Sequence, residues 1–394
     1  MEEQSACVEK RSESMSFIYT EEQKGLKEMV RNFMEKEVRP VMAQYDQSGE
    51  FPQDLYKKAF DMGLHCLQIP EEFGGAGLDN QTMAILLEEM GRVDPGFAIT
   101  ILSTAHTLND ILDRGNEDQK KRAADIIIPG GHASFVMTEP DAGSDPAGLA
   151  TKAERDGDMW VLNGTKCFAT NGEYADLYFL VATVDKTLGS KGTVAFMIEK
   201  GTPGLTVGAH EDKMGLRLSN TATLYLDNCR VPDKNRIGEI GDGLKIALYG
   251  LDVGRIYNAA ISVGIAQHAL EEAASYAKVR EQFGKPIIKN QMMQQILADM
   301  QIGTEAARCL VMNSMKLVDE GIKDVRMEAS ICKTFASDNA VKCACDAIQV
   351  LGGYGFSKEY AVEKIYRDSK IFQIFEGTNQ IQRIVIAKEV EKKY

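Results

Sequence analysis

Apolar positions along the chain change their spacing twice. Between residues 20 and 38, Leu26, Met29, Val30, Phe33, Met34 and Val38 recur three or four residues apart, the period of one buried stripe on an α-helix. Thr20 and Gln23 form a capping-box pattern at its start, and Pro40 is expected to stop it because a helix interior needs the N–H that proline lacks. Gln81 to Arg92 and Gly96 to Leu112 read as further helices, preceded by the glycine-rich turn from Phe73 to Asp79. Between residues 133 and 240 β-branched and aromatic residues alternate with polar ones. Lys152 to Arg155, Trp160 to Leu162 and Lys166 to Thr170 predict a hairpin across Asp156-Gly157-Asp158, with more strands at Leu177 to Thr183, Thr193 to Ile198 and Ala222 to Leu226. From Gly243 the helical period returns, interrupted at Pro286, Gly321 and Gly352 to Gly355.

These patterns predict an α+β multidomain chain. Residues 1–15 read as a mobile polar leader, 16–132 as an N-terminal helical domain, 133–241 as an antiparallel β-barrel or sandwich, and 242–394 as a C-terminal four-helix bundle. The length of 394 residues agrees, at roughly 150 residues per domain.

Composition narrows the function classes. Lys plus Arg number 45 against 58 Asp plus Glu, and the net charge of −13 argues against a nucleic-acid partner or an anionic membrane surface. No stretch approaches a membrane span and the acidic N-terminus lacks a signal-like apolar run, so the chain is expected to be soluble and cytoplasmic without membrane insertion. Eight scattered cysteines suit reduced thiols, and Cys343 and Cys345 read as structural. His65, His106, His132, His210 and His268 stand isolated, without metal-ligand spacing, so no metal is expected. Gly353-x-Gly355 has Lys358 where a dinucleotide fingerprint needs its third glycine, and no glycine–lysine pair completes a P-loop.

Two stretches carry more chemistry. In Met137-Thr-Glu-Pro-Asp-Ala-Gly-Ser-Asp145, small residues expose backbone N–H groups beside hydroxyls, which suits a polar ring edge or a phosphate as well as a plain turn. In Phe372-Gln-Ile-Phe-Glu-Gly-Thr-Asn-Gln380, Glu376 follows Ile371, Phe372, Ile374 and Phe375. Desolvation there would raise its pKa toward a general base's range, while a solvated helix-end carboxylate is the alternative.

With Pro70 to Gly77, Leu162 to Lys166, Glu211 to Gly215, Arg280 to Pro286, Gln349 to Gly353 and Glu376 to Gln380 in this order, the chain resembles the acyl-CoA dehydrogenase family over nearly all its length after residue 15. The resemblance implies helical, β-barrel and four-helix-bundle domains, with FAD held between barrel and bundle. It assigns Phe135, Met137, Thr138, Gly143, Ser144, Phe168 and Thr170 to the barrel side of the flavin, with Thr378 and Gln380 beyond the base. Arg280, Phe283, Gln291, Gln349 and Gly353 match positions that reach the FAD of a neighbouring subunit, implying a homotetramer built as a dimer of dimers. Glu376 matches the catalytic base, which takes the α proton while a hydride leaves the β carbon for the flavin, giving a trans-2-enoyl-CoA. Some branches carry the base at the position of Gly254, which cannot serve, so the chain sides with the short- and medium-chain branch. Phe168 and Phe375 stand where Trp and Tyr are common.

Ser144, Asp252 and Arg255 match CoA-side positions. Phe97, Ile99, Ile101, Leu102, Tyr249 and Tyr257, with Phe375 and Gly377, are expected around a mainly apolar acyl pocket. No arginine lies between residues 95 and 107, which weighs against a dicarboxylate. Asp94-Pro95 reads as a helix cap, the alternative being a second carboxylate acting on a cyclic acyl group. The expected reaction is FAD-dependent α,β-dehydrogenation of a short, branched or cyclic acyl-CoA, with electrons passed to an electron-transfer flavoprotein. An enoyl-CoA reductase or oxidase of the same fold and a non-catalytic scaffold are the rivals.

Overall fold

The structure is a computed structural model and describes residues 19–394. The leader and the beginning of the first expected domain lie outside the described residues. Helix α1 (Glu21–Phe33) starts on the expected capping box: Gln23 N donates to Thr20 Oγ1 at 3.1 Å, and Thr20 N to Gln23 Oε1 at 3.1 Å. Pro40 does not end the helical run. A π-helical turn, Met34–Val38, joins α1 to α2 (Arg39–Ser48), and Pro40 falls in the first turn of α2, where its missing N–H needs no partner. Gly49, at φ 74°, makes the actual stop.

Helices α3 (Gln53–Asp61), α4 (Asn80–Val93), α5 (Pro95–Arg114) and α6 (Glu117–Ile127) complete the N-terminal part. Asp94 links α4 to α5, accepting from Phe97 N at 2.8 Å and from buried Lys364 Nζ at 2.6 Å. Both of its oxygens are thus engaged by the fold, which supports the cap reading over a second catalytic carboxylate.

Eight strands follow: β1 (His132–Val136), β2 (Lys152–Asp156), β3 (Met159–Thr170), β4 (Ala175–Thr183), β5 (Thr193–Glu199), β6 (Leu205–His210), β7 (Thr221–Pro232) and β8 (Arg236–Ile237). They form one sheet in the order β6-β7-β3-β2-β4-β5-β8, with β1 beside β4. Most neighbours pair antiparallel as expected, while β1 runs parallel to β4 and the start of β2 meets the end of β4 in parallel. Strand β1 enters from α6, not through a hairpin, so nothing forces it to reverse. The two segments expected at 160–162 and 166–170 are one strand, irregular near Gly164 and between Lys166 and Ala169. Tyr178, Leu180 and Ala182 face an inner core with Trp160, Phe196 and Leu224, giving the sheet a barrel-like interior. Leu177, Phe179 and Val181 face the helices with Leu108, Ile111 and Ala247.

Helix α7 (Gly243–Val279) opens the C-terminal part. A two-residue-strand hairpin, β9 (Glu281–Gln282) with β10 (Lys285–Pro286), leads to α8 (Gln291–Asp319), α9 (Arg326–Leu351), α10 (Val362–Ser369) and α11 (Asn379–Lys393). Helices α7, α8 and α9 pack on one another, α11 lies on α9, and α4 lies along α7. The seven described cysteines are free thiols, with Cys343 buried and Cys345 exposed. No helix among the described residues is long and apolar enough to cross a membrane.

Candidate functional site

Between α10 and α11 the backbone turns through two left-handed residues, Glu376 at φ 56° and Gly377 at φ 84°. A non-glycine residue rarely occupies this region, and the surroundings explain how it is held. Arg255 Nε on α7 donates to the Glu376 carbonyl at 3.0 Å. Gln382 Nε2 on α11 donates to the same oxygen at 3.0 Å and to the Gly377 carbonyl at 3.2 Å. From α9, Lys333 Nζ donates to the Gly377 carbonyl at 2.9 Å and to Asn379 Oδ1 at 2.8 Å. Thr378 then caps α11, accepting from Ile381 N at 3.2 Å. Glycine suits residue 377, whose φ of 84° other side chains rarely adopt and where a Cβ would also push on Gln382 Nε2 at 2.6 Å.

The Glu376 backbone is thus clamped by three helices, while its carboxyl is left reactive. Oε2 is buried without a hydrogen-bond partner. Burial pushes the pKa up, opposed by the charges of His106, Arg255 and Lys333. Burial in turn brings Lys333 down to about 8, against the pull of Glu376. A carboxyl raised in this way is a stronger base than a solvated glutamate, and no protein donor blocks its free oxygen. Sequence reasoning named Arg255 but missed Lys333 and Gln382. A lysine in helical register with Ala329, Ala336 and Ala340 was the available signal. His106, expected to be isolated, is charge-coupled to Glu376 and stands against Gly254.

Met137, Thr138 and Phe135 lie on or just beyond β1. Their segment is pinned to β3 by a buried ion pair between the two motifs, Glu139 Oε1 to Lys166 Nζ at 2.6 Å. Lys166 also donates to the Met137 carbonyl at 3.0 Å, and Glu139 accepts from Ala150 N at 2.6 Å and Thr151 N at 3.0 Å. Cys167 N closes onto the Thr138 carbonyl at 2.9 Å. The next residue, Phe168, adopts φ 56° and leaves its ring 64% exposed. Gly143 and Ser144 are exposed and Thr170 is half-buried, and nothing crowds a Cβ built on Gly143. An exposed aromatic face beside hydroxyls and a rigid open turn fits the flavin that the resemblance implies. Phe135 stacks on Phe179 at 5.4 Å.

The remaining flavin candidates gather at one end of the bundle. Phe283 sits in the turn of the β9–β10 hairpin with Arg280 and Gln291 on either side of it, Gln349 and Gly353 lie at the end of α9, and a contact between Tyr276 and Tyr354, with ring centroids 6.5 Å apart, joins the two groups. All five are exposed, Phe283 by 95%. Gln380 is exposed on α11.

The acyl-side candidates divide. Asp252 and Arg255 form an ion pair beneath Glu376, and Phe375 packs edge-on against Phe372 at 4.9 Å. Phe97 stacks on Tyr56 at 4.9 Å inside the N-terminal core, and Ile99, Ile101 and Leu102 belong to the same core. Tyr257 is buried and hydrogen-bonded to Asn80 and Gln68. Tyr249 is exposed beneath the Arg114 guanidinium, 4.4 Å from the ring centre.

Comparison with known proteins gives a consistent picture. The family model described as "Acyl-CoA dehydrogenase, N-terminal domain" matches residues 20–130, the middle-domain model 134–229 and the C-terminal-domain model 241–391. The chain is 45% identical over 373 residues to an acyl-CoA dehydrogenase of Bacillus subtilis, covering 94% of this chain and 98% of that one. Its fold is similar to that of butyryl-CoA dehydrogenase from Megasphaera elsdenii, with a TM-score of 0.93 and 39% identity over 96% of this chain and 100% of that one. It is also similar to a chain from a structure described as the electron transferring flavoprotein of Acidaminococcus fermentans, with a TM-score of 0.92 and 42% identity over 95% of this chain and 99% of the other.

Proposed function

The chain belongs to the acyl-CoA dehydrogenase family, and on that premise we propose that it oxidises a short, branched or cyclic acyl-CoA with Glu376 as base and delivers the electrons to an electron-transfer flavoprotein. Dehydrogenation of an acyl-CoA by an FAD-dependent oxidoreductase is the activity of the family. FAD, when bound, supplies the acceptor for the hydride that leaves the β carbon.

The chain's own residues do the rest. Glu376 takes the α proton, and its desolvated carboxyl makes that transfer feasible from a weakly acidic position. Arg255, Gln382 and Lys333 hold the Glu376–Gly377 backbone, so the carboxyl meets the substrate in one orientation. Phe135, Met137, Thr138, Gly143, Ser144, Phe168 and Thr170 would wall and hydrogen-bond the flavin on the β side, with Thr378 and Gln380 across from them. Ser144, Asp252 and Arg255 are the proposed CoA-side contacts, with Phe375 and Gly377 closing the acyl side. The exposed Arg280, Phe283, Gln291, Gln349 and Gly353 would complete the FAD site of a second copy in a dimer of dimers.

The observation that carries this reading is the buried, unpartnered Oε2 of Glu376 on a backbone clamped from three helices. Its test is an anaerobic panel of saturated straight, branched and cyclic acyl-CoAs added to the purified protein, with electron-transfer flavoprotein as acceptor. Flavin reduction by one member and onward transfer support the proposal. Reoxidation of reduced flavin by enoyl-CoAs, with no reduction by any saturated thioester, would replace it with a reductase.

A further inference from the structure

Two glycines one turn apart on α7 receive two polar side chains one turn apart on α5. A Cβ on Gly250 would lie 2.0 Å from Asp110 Oδ1, and a Cβ on Gly254 would lie 2.6 Å from His106 Cε1. Any side chain at either position would displace the α5 pair, so α7 is shaped around an imidazole and a carboxyl. Gly254 adjoins Arg255, which holds the Glu376 carbonyl, so the pair stands at the base's side. His106 also lies nearly parallel to Phe135, with ring centroids 6.4 Å apart.

The two side chains do not satisfy each other. His106 Nε2 is 3.7 Å from Asp110 Oδ1, too far for a hydrogen bond, with side chains only 12% and 6% exposed. His106 Nε2 and Asp110 Oδ2 are both buried without partners, like Glu376 Oε2. Buried polar atoms are normally paired, and three unpaired ones at one place mark a site completed by something polar. The backbone of Gly250, one turn before Gly254, also lies beside the ring. Nε2 accepts a hydrogen bond when the ring proton sits on Nδ1 and donates one when it sits on Nε2.

We propose that His106 and Asp110 form a hydrogen-bonding subsite for the acyl group, and that the preferred substrate is an acyl-CoA with a hydroxyl beyond its β carbon. The idea deepens the dehydrogenase reading and rests on it. The α and β carbons lose the proton and the hydride, so the polar contact falls farther along the acyl chain. A hydroxyl both donates and accepts, so it pairs with His106 Nε2 and with Asp110 Oδ2, whose carboxyl burial pushes up in pKa, whichever of the two holds the proton. A second carboxylate would face Glu376, and the nearby cations Arg255 and Lys333 are already engaged. The mainly apolar acyl pocket expected from the sequence is thereby revised on its α5 side.

The test compares kcat/KM of the holoenzyme for 4-hydroxybutyryl-CoA and 5-hydroxyvaleryl-CoA with butyryl-CoA and valeryl-CoA, in the wild type and in His106→Leu and His106→Asn. The wild type should favour at least one hydroxylated thioester over its plain counterpart by about tenfold or more, and His106→Leu should abolish or invert that ratio. A wild-type preference for the plain thioesters, or a loss in His106→Leu equal for both sets, would overturn the subsite while leaving the dehydrogenase reading intact. Absence of flavin reduction by either set would overturn the subsite, and the branched and cyclic thioesters of the wider panel would then decide the dehydrogenase reading.

Discussion

Arg255 reaches across 121 residues of chain to donate its Nε to the backbone carbonyl of Glu376 at 3.0 Å. The bond does two things at once. It stabilises a left-handed backbone that glutamate rarely adopts, and it brings a positive charge beside the carboxyl without pairing with it directly. The proposed base is therefore held in place through its main chain, with Oε2 of its side chain left unpaired.

The pH dependence of substrate oxidation should report that environment. As the proposed base, Glu376 must be deprotonated, and burial raises its pKa against the pull of His106, Arg255 and Lys333, with Asp110 also nearby. The rate should therefore rise with pH through a value above the ordinary glutamate range near 4.3. The sign for stability is opposite. A folded pKa above the unfolded one means the fold favours the protonated form, so Glu376→Gln should be more stable than wild type at neutral pH, with the difference vanishing as pH falls below the unfolded value. Thermal midpoints of both proteins across pH check this.

Arg255→Gln should lower the rate of flavin reduction by about 10- to 100-fold, the range for losing a charge-assisted hydrogen bond. The same change removes a positive charge near the base, so the rising limb of the pH profile should move to higher pH. Arg255→Lys, which keeps the charge, should leave the limb near its wild-type position. An unmoved limb in Arg255→Gln would reduce Arg255 to a packing role.

The pair Glu139–Lys166 predicts a stability effect coupled to cofactor retention. Lys166→Met leaves a buried carboxylate without its cation and should cost about 3–5 kcal/mol, with FAD lost on purification. Adding Glu139→Gln should recover most of the stability, because the uncompensated charge is then gone. Denaturant midpoints and flavin content of the two variants measure this.

Much of the fold was readable because long amphipathic stripes and clear caps mark its helices, as at Thr20 and Asp94. Strands β1, β6 and β8 were not foreseen. Strand β6 has hardly a buried position to create alternation, β8 is two residues long, and β1 takes its identity from pairing with distant β4. Pro40 misled because a proline in a new first turn has the same local appearance as a proline that ends a helix. Glu376 was visible as a carboxyl beside an apolar run. Lys333, Gln382 and the pair His106–Asp110 were not, because their roles depend on which helix faces meet. The spacing of His106 and Asp110 shows that they share a face of α5, but only packing shows that Gly250 and Gly254 lie opposite.

The central claim is that Glu376 is the base of an acyl-CoA dehydrogenation, and its most direct measurement is anaerobic single-turnover reduction of the flavin in wild type and Glu376→Gln by the same acyl-CoA. Both proteins should hold FAD and bind an acyl-CoA ligand. The oxidised flavin band should bleach in the wild type and bleach at least about 10²- to 10⁴-fold more slowly, or not at all, in Glu376→Gln. Bleaching at near-wild-type rate in Glu376→Gln would contradict the account.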